Sequence, residues 1–173
     1  MGLQKRLAAG LACGLFASVV AAGAADAQAM RRAPQSSGST YLFGEYDYYS
    51  AKYGSLNGAG FGAGWRFMRN FALEGGAQFA TKSGVNVRNF YGQALFIYPY
   101  SSRLEFSASL GGAYLDASTK VLATKVSIGS AGYRAGLGVN YWLTPSLALR
   151  AGVHRQNAGG LADDIALGLA YRF

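Results

Sequence analysis

Beyond residue 38, apolar and polar positions alternate at period two, in stretches of about ten residues divided by turn residues. That period belongs to strands with one apolar face; a helix would repeat its apolar positions every three or four residues. Eight such stretches can be drawn. In residues 40–48, Leu42, Tyr46 and Tyr48 share one face, and Tyr41, Phe43, Glu45 and Asp47 the other. In 58–67, Ala59, Phe61, Ala63, Trp65 and Phe67 alternate with glycines and Arg66, and in 71–80, Phe71, Leu73, Ala77 and Phe79 alternate with Glu74, Gly76 and Gln78. The stretch 89–98 is the least regular, with Phe90, Ala94, Phe96 and Tyr98 assigned outward and Tyr91 and Gln93 inward. Residues 103–115 turn Leu104, Phe106, Ala108, Leu110 and Tyr114 out, with Glu105, Ser107 and Ser109 in. Residues 132–141 turn Tyr133, Ala135, Leu137, Val139 and Tyr141 out, with Arg134, Gly136, Gly138 and Asn140 in. In 146–154, Leu147, Leu149, Ala151 and Val153 oppose Arg150, Gly152 and His154. In 164–173, Ile165, Leu167, Leu169, Tyr171 and Phe173 oppose Ala166, Gly168, Ala170 and Arg172.

The apolar residues set these parities, so the charges test them. Glu45, Asp47, Arg66, Glu74, Arg103, Glu105, Arg134, Arg150 and Arg172 all fall opposite the apolar face. An Arg or Lys facing lipid at the midplane costs about 2–4 kcal/mol, which gives this segregation a cause. A soluble sandwich would share the alternation. The rings decide between them: Phe67, Phe71, Tyr98, Tyr141, Tyr171 and Phe173 gather at one end of their stretches, as an interfacial girdle requires. Connections alternate as well, short at 68–70, 99–102 and 143–145 and longer at 50–57, 81–88, 116–130 and 155–163. The expected fold is an all-β, eight-stranded antiparallel transmembrane up-and-down barrel, with both termini on the short-turn side.

Composition agrees. Charged residues are 14% of the 173-residue chain against about 25% ordinarily, with 25 Gly and 22 Tyr and Phe. The first 29 residues read as a cleavable signal peptide: Lys5 and Arg6, then an apolar run over 7–22, then Ala27 and Ala29 before Met30. Residues 30–38 are a polar lead-in and 39–173 the barrel. Cys13, the single cysteine, lies in the leader, and Gly10 stands where a lipoprotein signal would have Leu. Neither disulfide, acyl anchor nor cysteine metal site is therefore expected after cleavage. Cleavage removes two cations and one anion from the net +8, leaving +7. The cations are scattered, and in an exported chain lipopolysaccharide phosphate is a more natural partner than nucleic acid.

The alternating stretches and the final strand, with Ile165, Leu167, Leu169, Tyr171 and Phe173 at alternate positions, resemble the small outer-membrane barrels of OmpA or OmpX type. The resemblance covers residues 39–173 and implies residence in the bacterial outer membrane. It also implies that Phe173, Tyr171, Leu169 and Leu167 form a signal read by the barrel-assembly machinery. Since the sequence ends at Phe173, no peptidoglycan-binding domain of the longer OmpA-type proteins is expected. Outer-membrane lipids and lipopolysaccharide are the expected partners, and a monomer the expected state.

An eight-stranded barrel leaves an interior just wide enough for side chains. A lumenal charge network of Glu45, Asp47, Arg66, Glu74, Glu105, Arg134 and Arg150 is expected, neutralising itself rather than lining a path. Arg134 is expected to pair with Glu45 or Asp47. The basic residues Lys52, Lys82, Arg88, Lys120, Lys125 and Arg155, with Asp116, Asp163 and Asp164, are assigned to the outer loops. Residues 153–159, around the single histidine His154, faintly resemble the His-x-Ser segment of outer-membrane lipid A deacylases. Gln156 stands where the serine nucleophile would be, so no enzyme is expected. The alternating glycines 58, 60, 62 and 64 continue a strand rather than open a helix, which sets them apart from a phosphate loop. No metal or cofactor site is read. The sequence supports a structural barrel serving envelope integrity, with a narrow porin-like channel or surface-interaction barrel as the alternative, and a lipid A-modifying enzyme after those.

Overall fold

The computed structural model describes residues 38–51, 54–82, 85–121, 124–158 and 162–173. The leader, the lead-in up to residue 37, Cys13 and Lys52 lie outside them, as do the side chains of Lys82, Lys120 and Lys125. Eight strands follow one another: β1 (Ser39–Ala51), β2 (Gly54–Met68), β3 (Phe71–Lys82), β4 (Val85–Pro99), β5 (Leu104–Val121), β6 (Thr124–Trp142), β7 (Leu147–Gln156) and β8 (Ala162–Arg172). Every neighbour pair is antiparallel, and β1 pairs with both β2 and β8, so the sheet closes into a barrel. Closure leaves no edge in the ring, the condition for a sheet to cross hydrocarbon.

The outward positions carry Leu42, Phe61, Trp65, Leu73, Phe90, Phe96, Leu110, Leu137, Leu149, Leu167 and Leu169, all exposed. The inward positions carry the buried Glu45, Asp47, Arg66, Glu74, Glu105 and Arg134. An exterior this apolar around a charged interior is stable only where hydrocarbon covers it. Ala77 also points outward but is buried, flanked in register by Phe61 and Phe90, with the Phe79 ring stacked on Phe61 at 5.9 Å.

One outward and one inward assignment need correction. Leu104 is 1% exposed rather than lipid-facing, because it begins β5 under the turn at 100–103. That turn bonds both its backbone groups: Tyr100 and Ser101 N–H donate to its carbonyl, and its N–H donates to Ser101 Oγ. Arg103 lies in that turn and not on a strand.

The stretches also run longer than their alternation suggests. The connection assigned to 116–130 is mostly ladder: β5 and β6 pair in unbroken register from Leu104↔Tyr141 to Val121↔Thr124. A membrane strand needs about 9–11 residues, so the 18 and 19 residues of β5 and β6 project well beyond the bilayer. The β6–β7 ladder starts only at Arg134↔Gln156, which leaves β6 from Thr124 to Gly132 without a ladder partner on that side among the described residues. Asn157 closes the end of that ladder, its N–H donating to the Tyr133 carbonyl and its Oδ1 accepting from Tyr133 N–H.

Candidate functional site: the lumen

Large inward side chains fit because glycine stands opposite them. Tyr41 pairs with Gly64 and Phe43 with Gly62, and a Cβ on Gly64 would sit 2.1 Å from Tyr41 Cζ. The rings therefore lie flat across the neighbouring strand, and the lumen is packed rather than open. At the short-turn end, Ala72, Leu95 and Ile97 form an apolar floor. Leu95 and Ile97 are inward, and their apolar character is what blurred the alternation of that strand.

Beside this floor Arg66 Nη1 holds Glu105 Oε1 at 2.8 Å, with both side chains buried, and Arg66 also donates from Nε and Nη2 to the Arg69 carbonyl. Arg172 lies over the Trp142 ring at 4.2 Å and donates to the Pro145 carbonyl.

Farther in, the polar groups join into one network. Arg150 Nη1 and Nη2 donate to the two oxygens of Glu74 at 3.0 and 3.3 Å, and Arg150 Nε lies 3.8 Å from Glu45 Oε2. Tyr41 and Gln93 also donate to Glu74. Tyr91 donates to Glu45 at 3.2 Å, and Gln78 Nε2 is shared between Glu45 and Asp47 at 3.2 and 3.0 Å. Asn89 Nδ2 then donates to Gln78 and Gln156, and Gln156 Oε1 also accepts from Arg134 Nη1 at 3.2 Å. Arg134 ends the chain on Asp164, with His154 Nδ1 3.0 Å from Asp164 Oδ2.

Two expectations change here. Arg134 pairs with Asp164, not with Glu45 or Asp47. Asp164 is a fully buried lumen acid and not a loop residue; it lies on the inward parity of β8, a signal already present at the first position of the 164–173 stretch. Ser109, on β5, pairs with Gly136, and Gly136 pairs with His154. Barrel stagger brings distant positions to one level in this way. His154, Ser107, Ser109, Gln93, Asn140 and Arg150 line one cavity of about 10 Å³, room for about one water molecule. Among the described residues no serine hydrogen-bonds His154, and no cluster of His, Cys, Asp and Glu suits a metal ion.

At the long-hairpin end, outward charges appear as cross-strand pairs: Arg88 opposite Asp116, and Arg155 bonded to Asp163 at 2.7 Å, both side chains exposed. They mark the rim where water begins.

Solved barrels share this architecture. The N-terminal β-barrel domain of Pseudomonas aeruginosa OprF is similar at 16% identity and TM-score 0.66, covering 79% of this chain and 98% of that one. Neisserial surface protein A gives 16% and 0.65, covering 80% and 98%. The attachment invasion locus protein Ail of Yersinia pestis gives 14% and 0.61, covering 80% and 100%. No individually curated protein matches the sequence. The family model described as the outer membrane protein beta-barrel domain matches residues 13–173. On that match and these neighbours, the chain belongs to the outer membrane protein beta-barrel domain family and resides in the bacterial outer membrane.

Proposed function

We propose that this barrel is structural: it contributes to envelope integrity through contacts with outer-membrane lipid and lipopolysaccharide, and it is neither a pore nor an enzyme. The observation that carries the reading is the hydrogen-bonded network running from Tyr41 and Glu74 to Asp164, which fills the lumen with buried groups. In this reading residues 1–29 are removed on export, the short turns face the periplasm, and the barrel works as a monomer. Its outer end, where Lys82, Arg88, Lys120, Lys125 and Arg155 outnumber Asp116 and Asp163, meets lipopolysaccharide phosphate. The terminal Leu167, Leu169, Tyr171 and Phe173 serve the assembly machinery. Planar-bilayer recording tests it: the folded protein is expected to give no steady ion-conducting steps, and stable open channels would overturn it. A deletion strain is expected to be more sensitive to detergent, and N-terminal sequencing of the membrane form is expected to begin at Met30.

A second reading, a surface-interaction barrel, draws on β5 and β6. Their hairpin projects past the membrane, and β6 from Thr124 to Gly132, without a ladder partner on its β7 side among the described residues, offers an edge to an added strand. Ile128, 70% exposed, sits on that segment. Ser127→Pro removes an N–H on the same open side as that of Tyr133, and is expected to abolish any cell or protein binding while leaving the folded yield unchanged; equal binding by both forms would dismiss this reading.

A further inference from the structure

The short-turn end of the barrel, residues 38–40, 65–72, 97–105, 141–147 and 171–173, carries four guanidiniums: Arg66, Arg69, Arg103 and Arg172. The same positions hold one acidic side chain, Glu105, which Arg66 Nη1 engages at 2.8 Å with both side chains buried. That pair is neutral and turned into the lumen. Toward water this end therefore presents Arg69, which is exposed, and Arg103 and Arg172, which are half-buried. A terminal carboxylate on Phe173 would still leave an excess of two positive charges.

Backbone contacts spread these cations around the rim. Arg69 lies in the β2–β3 turn, whose next residue, Asn70, bonds Ile97 on β4 through its carbonyl and its Nδ2. Arg103 ends the following turn, its carbonyl accepting from Trp142 N–H on β6. Arg172 is tied to the β6–β7 turn, its N–H donating to the Ser146 carbonyl and its Nη2 to the Pro145 carbonyl.

Their height follows from the side chains beside them. Met68 and Phe71 flank Arg69, Tyr100 precedes Arg103, and Tyr171 and Phe173 bracket Arg172, all of them exposed. These rings belong to the interfacial girdle, which sits at headgroup level. A cation within three residues of a girdle position lies within about 10 Å of it along the chain. Long cationic side chains so placed reach the lipid phosphates. A soluble acidic partner would want the cations gathered on the end face, whereas these are distributed one per connection beside lipid-covered rings. At the opposite end Arg88 and Arg155 meet acids of the protein itself, Asp116 in register and Asp163 at 2.7 Å. A zwitterionic headgroup would bring an ammonium that the short-turn arginines repel, so a net negative headgroup fits better.

We propose that the short-turn rim binds the headgroups of anionic phospholipid in the periplasmic leaflet, with Arg69, Arg103 and Arg172 as its contacts. This rests on the reading that the short turns face the periplasm, and it names the lipid class met there.

The test is spin-label resonance of the folded protein in phosphatidylcholine bilayers holding a trace of labelled phosphatidylglycerol or labelled phosphatidylcholine. The motionally restricted fraction reports lipid held at the barrel surface. Phosphatidylglycerol is expected to associate about threefold more strongly at low salt. In 1 M sodium chloride, where the Debye length is about 3 Å, the two labels are expected to associate about equally. Arg69→Gln with Arg103→Gln should remove most of the preference, and Arg69→Lys with Arg103→Lys should keep it. If the double Gln variant fails to fold, Arg69→Gln alone, at an exposed position, should lower it. Equal association of the two labels with the wild type would overturn the proposal. So would a preference that survives the Gln variants, or one lost instead in Arg88→Gln with Arg155→Gln. The side of the membrane is read separately, with a bulky, membrane-impermeant maleimide on Ser102→Cys in intact cells. Labelling is expected only after the outer membrane is opened. Labelling of intact cells would overturn the placement, and with it the leaflet named here, even with the lipid preference intact.

Discussion

Arg134 holds Asp164 fork to fork inside the barrel, Nη1 to Oδ1 at 3.0 Å and Nη2 to Oδ2 at 3.1 Å, with neither side chain exposed. Two parallel charge-assisted bonds fix orientation as well as energy, and they tie β6 to β8 across the lumen. Removing one partner leaves the other a buried charge without its counter-charge. Asp164→Ala is therefore expected to destabilise the barrel by about 3–5 kcal/mol. Replacing both partners at once, Arg134→Met with Asp164→Leu, is expected to recover most of that loss, because an apolar pair needs no compensation. Urea unfolding in lipid vesicles measures both. A loss below about 1 kcal/mol for the single variant would show that the pair is not the strut described.

The side that each strand residue takes was legible because lipid tolerates few charges: the faces of Glu45, Asp47, Arg66, Glu74, Glu105, Arg134 and Arg150 follow from the alternation alone. The level of each residue in the lumen was not legible. Level depends on the stagger between strands, which accumulates around the ring and leaves no local mark. That is why Arg134 meets Asp164 from the far end of β8, and why Ser109 shares a cavity with His154. Strand ends were equally obscure, since beyond the bilayer no lipid enforces alternation on β5 and β6.

Glycine opposite a ring is a packing requirement that single substitutions can test. A methyl group on Gly64 would overlap Tyr41 Cζ and its hydroxyl, which is itself held by Glu74. Gly64→Ala is expected to cost about 1–3 kcal/mol through overpacking. Adding Tyr41→Ala should relieve the clash, though it gives up the ring's own packing. Gly44→Ala is the control, because its Cβ would meet nothing nearer than the Gly60 carbonyl at 3.9 Å. Equal stability of Gly64→Ala and Gly44→Ala would refute the ring-over-glycine account.

Phe173 lies just past β8, 72% exposed, with its N–H donated to Thr40 and its ring edge-on to Tyr171 at 5.2 Å. So exposed a ring gives the finished barrel little packing. Deleting Phe173 is therefore expected to lower the yield of folded protein in cells severalfold, yet leave refolding into detergent nearly unchanged. Heat-modifiability on gels reads both quantities. Equal losses in cells and in detergent would make Phe173 a stability residue rather than an assembly signal.

The barrel is expected to remove no acyl chain from lipid A, although the lumen contains part of what such chemistry needs. His154 has its Nδ1 against Asp164, the orientation that would leave Nε2 free to act as a base, and Ser107 and Ser109 line the same cavity. Two further requirements are unmet. A nucleophile must sit within hydrogen-bond reach of the base, and among the described residues neither serine bonds His154. The substrate must also reach them, yet His154 is 9% exposed, Gln156 and Arg134 beside it are 0%, and the cavity holds about one water molecule. An acyl ester lies in the membrane outside the barrel, separated from Nε2 by the β-sheet. Asp164, moreover, is already engaged by both Arg134 nitrogens, so its charge serves the strut before it serves the histidine. Lipid A from cells expressing the protein is therefore expected to match that of an empty-vector strain by mass spectrometry. Loss of an acyl chain that His154→Ala restores would show that the lumen opens to substrate, and would overturn both this prediction and the closed-barrel reading.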